Sequence, residues 1–225
     1  MKKSELPRLK ILKISVLLKF TNNGFFKKIF IPLIPNPNMD FDKVIKERHS
    51  ARNYTSKKPD WRKIIEAIDA ANKAPLAGNI TTLKFILVSD KDKIKEIADA
   101  SQQSFVGTAN NIVVVCSDKK QAVLSYGKDG EKYALEQAGA SIENFLLKIT
   151  DLGLGSCWVG AFVESMVKET LSIPDNIEVI ALFPVGYERG TPLRRRKTSL
   201  DNVLYFDKWD EKRMKPLTDP PISRT

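Results

Sequence analysis

The sequence predicts a layered domain of the α/β or α+β class, and three observations carry that prediction. From Met39 onward, segments with helical and strand periodicity alternate along the chain. Ile112–Cys116 is a continuous apolar run rich in β-branched residues, the pattern of a strand buried on both faces and therefore central in its sheet. Glu131–Leu152 is the longest helical pattern. Its small residues Ala138, Gly139, Ala140 and Ser141 let another backbone approach, while Ile142, Phe145, Leu146 and Ile149 bury, which predicts a helix crossing the middle of the molecule.

The remaining elements follow in order. Phe41–Arg48 reads as a short helix with Asp40 as N-cap, and Trp61–Lys73 as a second helix capped by Asp60 after Pro59. Trp61, Ile64, Ile65, Ile68 and Ala71 form one apolar stripe on that second helix and belong to the core. Leu83–Val88 reads as a strand with Lys84 at its edge, and Asp90–Ala100 as a polar helix. Gly153 and Gly155 end the long helix. A short segment Ser156–Phe162, a helix Glu164–Leu171 and a strand Glu178–Gly186 complete the pattern.

Composition narrows the function classes. A chain of 225 residues with 42% hydrophobic content buries one sizeable core. Cys116 and Cys157 show no CxxC spacing, and His49 is the only histidine, so neither a disulfide framework nor a metal site is expected, and the compartment reads as reducing and cytoplasmic. A Ser-His-Asp triad would have a single candidate base.

The formal net charge of +10 raises nucleic acid or an anionic membrane as partners, but its distribution decides. Residues 1–38 hold eight basic residues against one Glu, and residues 189–225 hold ten against five acids. The folded middle is nearly neutral and lacks a basic stripe interleaved with aromatics, so nucleic acid is not an expected partner.

Residues 1–38 read as a basic and apolar arm, 39–206 as the folded domain and 207–225 as a tail. In the arm, Ile11–Phe20 is broken by Lys13 and Lys19, and Phe25–Ile34 by Lys27, Lys28 and Pro32, so no run reaches the roughly 18–20 residues of a spanning helix. No small-residue cleavage site follows. Three readings stay open: an interfacial amphipathic anchor making peripheral membrane contact, an arm packing on a dimer partner, or a natural start at Met39.

Four segments carry the functional reading: RHSARNY (Arg48–Tyr54), APLAGNITTLKF (Ala74–Phe85), GLGSCWVGAF (Gly153–Phe162) and PVGYERGTPLRRRKTSLDNV (Pro184–Val203). Each is weak alone. In this order and spacing they resemble the nitroreductase family of flavoproteins, whose members open with Arg-Arg/His-Ser-x-Arg and follow with a Pro-x-Ala-x-Asn loop. The resemblance covers about residues 39–206. It implies a three-layer α+β fold, a central mixed sheet flanked by helices in an intertwined homodimer, with FMN bound where the subunits meet.

FMN makes physical demands that the segments can be set against. Its phosphate carries nearly two negative charges, for which the planar fork of Arg suits better than Lys. By resemblance Arg48, His49 and Ser50 grip the phosphate and ribityl end, and Arg52 lies near the pyrimidine edge, where a positive charge stabilises anionic reduced flavin. Arg48 and Arg52 share one face if the first helix continues through them, and fan out over the ligand if it ends near Ser50. A basic helix end that meets only water and its own carbonyls is the plain alternative.

The resemblance also returns the Arg194–Arg196 segment to the phosphate. Alternation in an extended chain puts Arg194 and Arg196 on one side and leaves Arg195 to solvent. One extra residue separates this run from the Leu200 region relative to the family's habit, so its register is open, and a solvated charge run is the competing reading. In the loop Pro75–Asn79, the backbone of Pro75, Leu76 and Ala77 and the side chain of Asn79 are implied to line the flavin. Many relatives follow this Asn with Gln-Pro-Trp; here Ile80, Thr81 and Thr82 stand instead. Trp158, Val159 and Gly160 are implied to supply a backbone N–H at flavin N5. Trp158 reads equally as core, Cys157 reads as buried filler, and Gln103 is a further candidate for a ribityl contact. No side-chain acid or base is obligatory. Many relatives also carry an Asp in the long helix where Gln137 stands here.

The implied reaction is two-step: NADH or NADPH reduces FMN, then a nitroaromatic or quinone-like acceptor takes two electrons. Two alternatives stay open. One is a reductive dehalogenase of the same family, some of whose members carry a membrane anchor; it needs a lid, for which Tyr126–Tyr133 offers only Lys128, Glu131 and Tyr133. The other is a non-catalytic, basic-armed binding module whose binding falls steeply with salt.

Overall fold

The structure, a computed structural model, describes residues 13–19, 26–32, 40–192 and 196–213. By internal contacts the chain divides into two units, Met1–Pro192 and Leu193–Thr225.

In the first unit the expected arm contains a two-stranded antiparallel hairpin, β1 (Lys13–Lys19) and β2 (Phe26–Pro32), with Lys13 opposite Pro32 and Lys19 opposite Phe26. Residues 13–19 and 26–32 are therefore paired strands. The two apolar runs, each interrupted by lysines, pair with one another as strands.

The body begins with α1 (Phe41–Glu47) and α2 (Trp61–Ala71). Asp60 caps α2, its carboxylate accepting from the Arg62 N–H, whereas Asp40 sits at the start of α1 without a side-chain cap. A 3-10 turn (Ala77–Asn79) leads into β3 (Leu83–Val88). Next come α3 (Lys91–Ser101), capped by Asp90, a second 3-10 turn (Ser104–Thr108), β4 (Asn111–Ser117) and α4 (Lys120–Tyr126). The long helix is α5 (Asp129–Asp151), followed by β5 (Gly155–Ser156), α6 (Glu164–Leu171) and β6 (Glu178–Gly186).

The sheet order is β3-β4-β6-β5, and all three pairings are antiparallel. The expected mixed sheet differs in this detail. Among the described residues, parallel pairing enters only at the isolated bridge between Ser50 and Ser156. β4 lies inside the sheet and every residue of it is buried, as its apolar run predicts.

Alternation along β4 and β6 builds the three layers. Val113 and Val115 of β4 and Ala181, Phe183 and Val185 of β6 pack on α2 and α5 through Ile64, Ala67, Ile142, Phe145 and Ile149. Ile112, Val114 and Cys116 face the other way, against Ile94, Ile97 and Val167 of α3 and α6. Phe145 and Phe183 meet edge-on at 5.5 Å on the α5 side. Each such fully buried side chain contributes about 1.5–3 kcal/mol relative to exposure, so these two clusters hold the frame on which the loops sit.

The stripe expected on α2 is borne out for Ile64 and Ala71, which are buried; Ile68 packs at the edge of the core, and Trp61 is exposed. α4 was not expected from the sequence: Lys120–Tyr126 is short, and all its residues except Ala122 are exposed, which leaves no apolar stripe to read. In the second unit the described elements are α7 (Leu200–Val203) and a corner where the Tyr205 and Trp209 rings lie 4.7 Å apart.

Candidate functional site

The Arg48–Tyr54 segment leaves α1 as a loop. α1 ends at Glu47, and Arg48 at its C-cap has left the helical region (φ −58, ψ 122) while its N–H still reaches Val44 O. The basic side chains are thus free of the helical face, and the loop fans them out.

That loop is pinned at three points. The Ala51 N–H donates to Ser156 O at 3.0 Å, beside the Ser50–Ser156 bridge. Tyr54 pairs with Glu188 as an antiparallel bridge just beyond β6. The buried Tyr54 hydroxyl reaches the carbonyls of Ala51 at 2.7 Å and Pro184 at 3.1 Å, to which it donates. Burial, with Cys157 and Glu188 nearby, holds the Tyr54 phenol above its ordinary range, so it is a neutral donor.

Gly155 makes the pinning possible. A Cβ there would sit 2.8 Å from Ala51 Cβ, so any larger residue would push the two segments apart. The approach places Arg48–Arg52 beside Ser156–Gly160, which the sequence separates by about a hundred residues.

The basic groups have distinct surroundings. Arg48 Nε lies 3.6 Å from Glu143 on α5. His49 Nε2 lies 2.6 Å from Glu188 Oε2, and its Nδ1 lies 2.7 Å from Glu47 O. Arg52 is exposed, reaches Ser50 O at 3.5 Å and lies 5.9 Å over the Phe105 ring; no carboxylate pairs with it among the described residues. Its charge is still felt at Cys157. Burial raises that thiol, while Arg52 and a hydrogen bond with Ser50 pull it back down.

Val159 is buried and exchanges both backbone hydrogen bonds with Leu182 of β6, at 3.0 Å each. Gly160 follows at the surface. No acceptor takes its N–H among the described residues, and a Cβ on it would meet nothing within 4 Å. Trp158 divides its roles: 44% exposed, it still leans on Phe183 with ring centres 5.8 Å apart. Gln103 joins this group, its amide donating to Ala161 O at 3.4 Å.

Ser50, Arg52, Gln103, Trp158 and Gly160 therefore lie along one stretch of surface knitted by the Ser50–Ser156 bridge and the Gln103–Ala161 bond. The Pro75–Asn79 loop lies elsewhere in the network. Gly78 (φ 55) and Asn79 (φ 57) both take the left-handed conformation that their residue types tolerate, and the Tyr126 hydroxyl packs where a Gly78 side chain would be. No described hydrogen bond, ion pair or ring contact links Pro75, Leu76, Ala77 or Asn79 to Arg48–Arg52 or to Trp158–Gly160. Arg194 and Arg195 lie outside the described residues, and Arg196 is exposed in the second unit.

Sequence reasoning missed Tyr54, Glu143 and Glu188. Tyr54 and Glu188 stood inside the quoted segments, but nothing local marks a Tyr as a backbone clamp or a Glu as the partner of a histidine 139 residues away.

Comparison with known proteins identifies the family of the body. Residues 45–107 and 99–187 match the sequence profile of the nitroreductase family. The crystal structure of a nitroreductase family protein from Clostridium novyi NT is similar at a TM-score of 0.63 and 33% identity, covering 77% of this chain and 96% of that one. A protein of Archaeoglobus fulgidus assigned as an NADH dehydrogenase/NAD(P)H nitroreductase is 31% identical over 152 residues, 65% of this chain and 84% of the relative. An FMN reductase (NAD(P)H) of Bacillus subtilis is 27% identical over 151 residues, 67% of this chain and 55% of the relative. With the matched residues running through the three-layer body from α1 to β6, the pinned Arg48–Tyr54 loop included, the chain belongs to the nitroreductase family.

Proposed function

We propose that this protein is an FMN-dependent oxidoreductase that draws two electrons from NADH or NADPH and delivers them to a small organic acceptor, nitroaromatic or quinone-like, and that it works as a homodimer. The observation that carries this reading is that Arg52, which meets no carboxylate among the described residues, and the Gly160 N–H, which meets no acceptor among them, stand on two segments joined by the Ser50–Ser156 bridge.

The residues present fit such a cofactor. Arg48 lies 3.6 Å from Glu143, while the exposed Arg52 meets no carboxylate among the described residues, which leaves its guanidinium available to an anionic group such as a phosphate. The unfilled space before Gly160 leaves room for a planar ring edge at a backbone donor. FMN, when bound, would supply reversible hydride chemistry that no side chain of this chain offers. The protein's own part is to bind and orient. Arg48, Ser50 and Arg52 present positive charge and donors on a loop fixed at both ends. Gly160 offers an N–H whose neighbour Val159 is locked into the sheet, and half-exposed Trp158 limits water beside it.

Among the described residues no hydrogen bond, ion pair or ring contact joins the two halves of the proposed ring site, Arg48–Gly160 and Pro75–Asn79. A second copy that brings the second loop over the first chain's Gly160 completes the ring site, which is why the reading includes a dimer. The dehalogenase alternative is less favoured: an iodotyrosine deiodinase of Thermotoga neapolitana is a distant relative at 22% identity, and Tyr126–Tyr133 runs from the end of α4 into α5 with its two tyrosine rings edge-on at 5.2 Å.

Replacing Arg52 by Ala, and separately Arg48 by Ala, tests the site. Each removes a charge-assisted contact and should weaken FMN binding by about 1.5–3 kcal/mol, read by titrating flavin fluorescence against apoprotein. Unchanged affinity in both variants would contradict the assignment.

A further inference from the structure

We infer that Glu188 is a positioning residue for the Arg48–Arg52 loop: it holds His49 as an internal strut, so that His49 braces the loop and does not itself contact the cofactor's phosphate. This rests on the flavin reading above and revises one residue within it.

The argument is a count of hydrogen-bonding capacity. His49 Nδ1 lies 2.7 Å from Glu47 O, and a carbonyl oxygen only accepts, so Nδ1 donates. Nε2 lies 2.6 Å from Glu188 Oε2, and an ionised carboxylate only accepts, so Nε2 donates as well. An imidazole has two nitrogens, and both are used within the protein. Nothing remains on the ring to offer a phosphate, whereas Arg52 meets no carboxylate among the described residues.

Glu188 is itself held in place. The Thr55 N–H donates to Tyr187 O at 2.8 Å and the Arg189 N–H to Asn53 O at 2.9 Å, so backbone bonds bracket Glu188 on both sides. The His49 and Glu188 side chains are about four-fifths buried, at 19% and 20% exposure, which limits screening of their interaction. Together with the Ala51–Ser156 bond, these contacts fix the loop before, at and after Ser50. Ser50 and Arg52 are then presented from a rigid support, and the ordering of the loop is not left to the moment of binding.

The experiment uses the full chain, with FMN and riboflavin as probes that differ only in the phosphate. Glu188→Ala and His49→Ala should each weaken both flavins by a similar factor, about tenfold, and the double variant should be no worse than either single one. Glu188→Gln, which keeps the length and an acceptor oxygen, should retain most of the affinity. If His49→Ala weakens FMN alone, leaves riboflavin unmoved and adds to Glu188→Ala, His49 grips phosphate directly and the strut is overturned.

A second readout needs no flavin. Because His49 is the only histidine, its ring signals in a nitrogen-15 spectrum are unambiguous. The strut predicts slowly exchanging protons on both ring nitrogens, with the Nε2 proton lost to rapid exchange in Glu188→Ala. A ring signal indifferent to Glu188→Ala overturns the inference. A wild-type protein that fails to bind FMN, yet shows the expected ring signals, contradicts the flavin reading and leaves the strut standing.

Discussion

Arg52 and His49 stand three residues apart on one loop and illustrate what a sequence can and cannot say about a charged side chain. Both belong to a basic motif readable at once, but only the fold shows that Glu188 occupies His49 while Arg52 faces no acid among the described residues. The acid partners come from β6's exit and from α5, elements far away in sequence, and no local pattern announces them. Cys157 was legible as buried filler and Cys116 as part of a buried strand, and burial raises both thiols, Cys116 to about 11. The sign has a consequence for stability. The folded state favours the protonated thiol, so stability falls as pH rises from about 9, the ordinary value, through about 11, and is insensitive to Cys116 below that window. Urea midpoints across that range should fall less steeply for Cys116→Ala than for the wild type. Parallel curves would show that Cys116 does not carry the alkaline loss.

At the scale of elements, strands and long helices were readable because their periodicity is dictated by burial. β3, α6 and β6 start and end where their patterns do, and α3 and α5 differ from theirs by one or two residues. What escaped was structure without a buried stripe: exposed α4, the two 3-10 turns, and the antiparallel hairpin in the first 38 residues. The junction that matters most, Ala51 against Gly155, is likewise invisible locally, since Gly155 reads only as a helix terminator. Its packing yields a prediction. Gly155→Ala places a methyl 2.8 Å from Ala51 Cβ, between two backbones already joined by the Ser156 carbonyl. Overpacking of this kind costs about 1–3 kcal/mol. Flavin affinity should fall with it, because the Arg48–Arg52 loop is displaced from Gly160. Destabilisation with unaltered flavin affinity would separate the junction from the site.

For the whole molecule, the three layers follow from two alternating strands, β4 and β6, each sending one set of side chains to α2 and α5 and the other to α3 and α6. That architecture was accessible from the sequence because the apolar run Ile112–Cys116 demands cover on both faces. The candidate site was less accessible, since its pieces meet through one bridge at the edge of the sheet, and no described hydrogen bond, ion pair or ring contact joins the Pro75–Asn79 loop to them. Charge at the termini is conspicuous in composition, yet Arg48, His49 and Arg52, the basic residues of the described site, all belong to the nearly neutral middle of the chain. Among the described residues no helix is long and apolar enough to cross a membrane. The central claim is that the body binds FMN and passes electrons through it. Its most direct test is the absorbance spectrum of the purified protein reconstituted with FMN, followed by anaerobic addition of NADH or NADPH. A protein-bound flavin spectrum that bleaches on addition and returns with a quinone or nitroaromatic acceptor is the predicted result. A protein that stays colourless after desalting from excess FMN contradicts the account.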